Sequence, residues 1–216
     1  MEEARCLAIL AAGDFPNFRL LRQALCEAFF VICCDSAYRA FCRSEFRDKD
    51  FVVVGDGDSL PAEERKALGE KYILNPDQET NDLTKAIHYA ATRFPQGVRV
   101  IILGATGKRE DHTLGNISLL AWYREHYPQL DIEMLTDYGR FVALQGSRTF
   151  ESFPRQQVSI FSLTPHIAVS SEGLRWPLGG RCLEQWWQGT LNEAVGDRFS
   201  VSGGSLIVFQ TYEPKL

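Results

Sequence analysis

A chain of 216 residues with 28 acidic and 23 basic side chains carries a formal charge of −5. It offers no basic stripe to a phosphate backbone, which argues against nucleic-acid binding. At this length folding buries roughly 70 % of the surface an unfolded chain exposes, enough for one large domain or two modest ones without staples. No apolar run reaches the ~18 residues that a membrane-spanning helix needs. The stretch MEEARCLAILAAGDFP lacks the basic start and the apolar length of a signal peptide. Six cysteines, none in a CxxC pair, then read as reduced thiols in a cytoplasm.

Through about residue 137, short apolar runs alternate with helical periods. The runs are CLAILAAG (6–13), FFVICCD (29–35), FVVVGD (51–56), KYILNPD (71–77), VRVIILGA (98–105) and IEMLTD (132–137). Continuous apolar strands of this kind suit a parallel sheet covered on both faces. Among the intervening segments, NDLTKAIHYAATRF (81–94) is the clearest helix, with Leu83, Ala86, Ile87, Ala90, Ala91 and Phe94 on one stripe. The alternation predicts a doubly wound α/β domain over residues 1–137.

After Tyr138-Gly139 the rhythm changes. RFVALQG, SRTFESF, QVSIFSLTP, IAVSSEGLRW and DRFSVSGGSLIVF are short, β-rich and punctuated by Gly, Pro and Ser. They predict a smaller antiparallel sandwich or barrel over residues 138–216. At ~80 residues such a domain leans on a neighbour or a second subunit, so a homodimer is expected.

Charged residues gather at the carboxyl ends of the predicted strands. Asp35 closes the second run, Asp56 and Asp58 the third, Asp77, Gln78 and then Asp82 the fourth, and GATGKREDH (104–112) the fifth. In open α/β sheets ligands bind outside those ends. Crowded carboxylates need protons or a cation, and a hard divalent ion such as magnesium is the usual partner beside phosphates. An ordinary Gly-Asp surface turn would use the same residues.

Asp82 and Lys85 share the first turn of the predicted helix, whose N-terminal amides favour an anion. Asn81 or Thr80 serves equally as its cap. In GATGKREDH, Arg109 offers a planar fork to phosphate or carboxylate oxygens, while the spacing excludes a Walker A loop. His112 reads as a cap or packing residue rather than a general base. Trp176, Trp186 and Trp187 supply either an aromatic face for an organic ring or sandwich core.

With these residues assembled, the chain resembles the thiamin pyrophosphokinases over nearly its whole length. CCDSAYRA resembles an early Asp-bearing strand exit of that family, and GDGDS its Gly-Asp-x-Asp-Ser signature. DQETNDLTKA is similar to its Asp-Gln-x-x-Thr-Asp-x-x-Lys-Ala motif. GATGKREDHTLGNI is similar to its Gly-Ala-x-Gly-Gly-Arg-x-Asp-His-x-Leu-x-Asn-Ile motif. SLTP, GLRWPL and GTLNE resemble its β-domain segments. Asn81 stands where the family has threonine, Lys108 at its second glycine and Leu191 at its usual serine.

The resemblance implies a homodimer that transfers the pyrophosphoryl group of ATP to the thiamin hydroxyl, giving AMP and thiamin diphosphate. The α/β domain would hold ATP; the β domain would hold thiamin and form the dimer. The assignment gives Asp56, Asp58 and Asp82 to Mg²⁺, with Asp82 also orienting the attacking hydroxyl. Gln78, Lys85 and Arg109 would contact phosphates, Asp111 would orient Arg109 or the nucleotide, and Asp35 and His112 complete the ATP side. Asp56, Asp58, Asp82 and Arg109 form the catalytic set. Trp176 would stack on thiamin, with Gly173, Thr190 and Asn192 beside it. The rival readings are a non-catalytic nucleotide or ligand sensor and a Mg-dependent aspartate-nucleophile phosphohydrolase.

Overall fold

The computed structural model describes residues 6–94 and 98–215. The chain forms two compact units, one taking the residues up to Leu119 together with Tyr127–Asp137, the other Leu120–His126 and the chain from Tyr138 onward.

Among its described residues the first unit is built on six strands: β1 (Cys6–Leu10), β2 (Phe30–Cys34), β3 (Phe51–Gly55), β4 (Tyr72–Leu74), β5 (Arg99–Leu103) and β6 (Asp131–Thr136). They lie in the order β6-β5-β1-β2-β3-β4, and every pair is parallel. In β1, β2, β3 and β5 the first residue is half-buried and the next four are buried. That is why these strands read as unbroken apolar runs: parallel strands covered on both faces have no solvent side to mark with polar residues. Ile9, Ile32, Val53 and Ile102 are fully buried, each contributing about 1.5–3 kcal/mol by leaving water.

Among the described residues, five α-helices complete the two units: α1 (Arg19–Glu27), α2 (Ala37–Cys42), α3 (Ala62–Leu68), α4 (Asp82–Arg93) and α5 (Glu110–His126). The predicted helix is α4, packed on β2 and β3. Asn81 caps it, its side chain accepting from the Thr84 amide at 2.9 Å. Leu83, Ala86, Ile87 and Ala90 are buried as the stripe requires. Lys85 is buried too, which apolar periodicity does not foretell.

Chain order reverses between β1 and β5. Strands β2, β3 and β4 extend to one side of β1, and β5 with β6 to the other. Such a switch point opens a crevice beyond the carboxyl ends of the strands.

The second unit is antiparallel throughout. Its strands are β7 (Gly139–Glu151), β8 (Gln156–Ser162), β9 (Ala168–Glu172), β10 (Gly179–Cys182), β11 (Asn192–Glu193) and β12 (Arg198–Pro214). β12 pairs with β7 along most of its length, with β9 near its start and with β8 near its end. A register shift against β7 falls between Gly203 and Ser205 of β12, the kind of irregularity that bends a strand. Its core includes Val142, Phe150, Val158, Ile160, Phe199 and Val208. In β8 every second residue is buried, the period of a strand with one face inward. One 3-10 turn, Trp186–Gly189, interrupts the β pattern.

All six cysteines are free. Among the described residues, no helix is long and apolar enough to cross a membrane.

Candidate active site

β3 ends at Gly55, and the next residues form a turn rather than continuing the strand. Asp35, immediately after β2, extends the ladder through its amide to the Val54 carbonyl at 2.9 Å. Its side chain is 0 % exposed and lies directly against Gly55. A Cβ at Gly55 would stand 2.6 Å from the Asp35 Cβ and 2.8 Å from its Cγ. The first glycine of GDGDS is therefore what admits Asp35. The second, Gly57, has φ +90°, a conformation that L side chains resist.

Within the turn, Asp56 Oδ1 accepts from the Asp58 amide at 3.1 Å, and Asp35 Oδ2 accepts from the Ser59 amide at 3.2 Å. The Asp58 side chain is exposed. Asp56 and Asp82, on different elements, converge on one cation: Lys85 Nζ donates to Asp56 Oδ2 at 2.9 Å and to Asp82 Oδ1 at 3.3 Å. The Lys85 side chain is 1 % exposed, against 19 % for Asp56 and 30 % for Asp82. Lys85 is thus a buried countercharge to two carboxylates, turned to them rather than to solvent.

The electrostatics follow from that geometry. The hydrogen bond from Lys85 and that from the Asp58 amide hold Asp56 below the ordinary carboxyl range. Burial pushes Asp82 above it, outweighing Lys85. Burial likewise raises Asp35, against the pull of the Ser59 amide. Lys85 loses by burial, but the Asp56 hydrogen bond and the Asp82 charge more than compensate, so its pKa is raised.

The segment leading into α4 is self-organised. Asp77 accepts from the Glu79 amide at 3.0 Å and from the Thr80 hydroxyl, and Gln78 beside it is exposed. Asn81, the departure from threonine, does two jobs. Its Oδ1 caps α4 while its Nδ2 donates to Asn116 Oδ1 at 3.3 Å. Asn116 in turn donates to the Ala105 carbonyl at 2.8 Å, tying the α4 start to the loop after β5.

That loop carries Lys108 at φ +58°, a left-handed residue with a side chain. Its Nζ donates to the Ala12 carbonyl at 2.8 Å, anchoring it to the loop after β1. Arg109 forks onto Asp111, Nε to Oδ1 at 3.0 Å and Nη2 to Oδ2 at 2.5 Å. Arg109 brings Asp111 down to about 2. Arg109, Asp111 and His112 are all exposed.

In the second unit Trp176 is 53 % exposed and held through its backbone. The buried Asn192 accepts from the Trp176 amide at 3.2 Å and donates to the Trp176 carbonyl at 2.7 Å. The Arg175 guanidinium lies 5.3 Å from the Trp176 ring centroid. Gly173 lies just ahead of this segment, with φ +74°. Thr190 closes the 3-10 turn, its hydroxyl donating to the Trp187 carbonyl at 2.8 Å. Leu191 follows at φ +59°, its side chain exposed.

The structure thus brings Asp35, Asp56, Asp82 and Lys85 together and turns Asp58 outward. Among the described residues, no group of three His, Cys, Asp or Glu side chains is placed to hold a metal ion unaided. Sequence reading missed Arg65 and Tyr72: a charged residue on a short helix and a lone tyrosine at a strand start carry no signal of their own.

A doubly wound α/β unit with acidic groups at its carboxyl edge, followed by an antiparallel β unit, is the class that fold and site define. Residues 21–133 match the family model described as thiamin pyrophosphokinase, catalytic domain, and residues 139–209 that described as thiamin pyrophosphokinase, substrate-binding domain. The chain belongs to the thiamin pyrophosphokinase family. It is 31 % identical over 147 residues to thiamine pyrophosphokinase 1 of Oryza sativa subsp. japonica, covering 61 % of this chain and 54 % of that protein. Over 72 residues it is 36 % identical to thiamine pyrophosphokinase of Bacillus subtilis, 32 % of this chain and 33 % of that one. The chain spans about half the length of the plant relatives it matches. The same fold occurs in thiamin pyrophosphokinase from Candida albicans, with TM-score 0.80, 17 % identity, 97 % of this chain and 89 % of that one. It also occurs in the Bacillus subtilis enzyme, with TM-score 0.77, 22 % identity, 96 % of this chain and 99 % of that one.

Proposed function

We propose that the protein is an ATP:thiamin diphosphotransferase, with ATP held by the α/β unit and thiamin by the β unit. The observation that carries this reading is the convergence of Asp56 and Asp82 on Lys85 at the carboxyl edge of the parallel sheet. In the reaction the thiamin hydroxyl oxygen attacks the β-phosphorus of ATP. The bond from that phosphorus to the α,β-bridging oxygen breaks, and AMP leaves with the oxygen.

Such a transfer needs alignment and charge neutralisation more than covalent chemistry. The donor set fits magnesium: hard carboxylate oxygens of Asp56 and Asp82 already meet around a positive charge, with Asp58 next to them on the turn. Magnesium usually takes one or two carboxylates and completes its shell with substrate phosphates and waters, so a full protein cage is not required. When bound, the ion would neutralise charge building on the phosphates. Asp82, beside Lys85 at the start of α4, would orient the attacking hydroxyl and accept its proton as the new bond forms. Arg109, already forked onto Asp111, would contact phosphate on the exposed side, with Gln78 and His112. Lys85 acts by holding the two carboxylates in place. Trp176 offers its face to the cationic thiazolium ring, with Gly173, Asn192 and Thr190 setting its segment.

A homodimer is supported by the exposed apolar side chains of Trp176, Trp187, Leu191 and Val195 in the second unit, and a cytoplasmic setting by the six free cysteines.

Incubation with Mg·ATP and thiamin should yield AMP and thiamin diphosphate in equal amounts. Inorganic phosphate without AMP would identify the phosphohydrolase, and binding without product the sensor; either outcome overturns the proposal.

A further inference from the structure

The Gly55–Ser59 turn is backed by side chains that the reaction above does not use. Arg65, on α3, lays its guanidinium against Gly57. A methyl group added there would collide with Arg65 Nη1 and stand 3.5 Å from the Tyr72 hydroxyl. On the same turn, Gly55 is packed against Asp35. Three polar atoms of these residues are buried and make no hydrogen bond: Asp35 Oδ1, Arg65 Nε and the Tyr72 hydroxyl. Buried polar groups are nearly always paired, so three such atoms around one five-residue turn need an explanation.

The charges supply one. Asp35 is fully buried, and its other oxygen accepts only a backbone amide. Lys85 is engaged with Asp56 and Asp82. Arg39, whose charge also senses Asp35, is paired with Glu64, and Arg65 is a further cation whose field reaches Asp35 and opposes the effect of its burial. Burial, with the Asp35 charge second, pushes the Tyr72 hydroxyl up to about 12, so it remains a neutral hydrogen-bonding group.

We infer that Arg65, with Tyr72, is a positioning residue: it supplies the countercharge for Asp35 from behind the turn, leaving Lys85 to hold Asp56 against Asp82. Gly57 is the residue that admits the guanidinium. Without Arg65 the negative charge of Asp35 draws Lys85 away from the pair, and Asp56 moves with the turn. The inference rests on the proposed transfer reaction.

The experiment compares Arg65→Met, Arg65→Lys, Gly57→Ala and the double variant Arg65→Met/Gly57→Ala. It measures kcat, KM for thiamin, and Mn²⁺ affinity at saturating ATP by calorimetry. Displacing a reacting group by about an ångström costs up to ~10²-fold, so Arg65→Met should lower kcat at least about tenfold with KM for thiamin within about twofold. Its Mn²⁺ affinity should fall as well. Arg65→Lys should recover most of the loss. Gly57→Ala should lower kcat and Mn²⁺ affinity as well, by evicting the guanidinium and by straining a backbone at φ +90°, and it should cost less in the Arg65→Met background, where the guanidinium is already gone. Full kcat and unchanged Mn²⁺ affinity in Arg65→Met, or strictly additive losses, would overturn the inference. Wild-type protein that binds Mn²⁺ with ATP but makes no AMP would overturn the transfer reaction instead, and the calorimetric comparison would still decide the role of Arg65.

Discussion

Asp82→Asn is expected to reduce turnover by about 10²-fold or more and, without divalent ions at pH 7, to raise the melting temperature. The two effects share one cause. Burial makes the charged form of Asp82 costly in the folded protein, and Lys85 does not fully offset it. A carboxyl whose folded pKa lies above its unfolded value of about 4 keeps its proton longer when folded, so stability falls as pH rises from that value through the higher folded one. Asparagine removes the penalty. The gain should therefore be present at pH 7 and disappear below about pH 4, where Asp82 is protonated in both states.

Asp56→Asn should act oppositely on stability, because Lys85 holds Asp56 below the ordinary range. Its contribution is present at neutral pH and is lost as pH falls through the lowered value. Thermal melts at several pH values, beside assays of AMP formation, check both. Asp82→Asn with full turnover, or with a lowered melting temperature at pH 7, would contradict the assignment.

Lys85→Met is expected to be the most destabilising change in the first unit. Methionine fills much of the volume but leaves Asp56 and Asp82 facing each other, with Asp35 close behind. Removing one partner from a buried ion pair typically costs about 3–5 kcal/mol, here a fall in melting temperature of roughly 10 °C for a chain of this size. Turnover should fall with it, and added Mg²⁺ with ATP should restore part of the stability by supplying the missing positive charge. A melting temperature within about 2 °C of wild type would mean that Lys85 is not the countercharge that its 2.9 and 3.3 Å contacts make it.

The parallel unit was legible because its strands are apolar on both faces and α4 carries a clean stripe. The β unit was harder. RFVALQG and SRTFESF read as two segments, yet the first and all but the last two residues of the second lie in β7, which continues through Gly146 at φ +85°. DRFSVSGGSLIVF, read as one segment, lies in β12 from Arg198 onward and carries its register shift at the glycines. Glycine marks a turn and a bulge alike, and pairing decides which.

In the candidate site, Asp35, Asp56 and Asp82 could be read from their places at strand ends and a helix start. The position of Lys85 could not, because an ammonium three residues from an aspartate points equally well to solvent or inward until its partners are known. The role of Gly57 was hidden for a similar reason: only the arrival of Arg65 from α3 makes that glycine a necessity. Asn192 read as a pocket residue; its amide is occupied in clamping the Trp176 backbone.

Electron paramagnetic resonance of Mn²⁺ titrated into the protein with ATP tests the central claim most directly. The account predicts a bound-ion signal in the wild-type protein that appears only with nucleotide and is lost in Asp56→Asn and Asp82→Asn. Equal Mn²⁺ binding by all three proteins would contradict it.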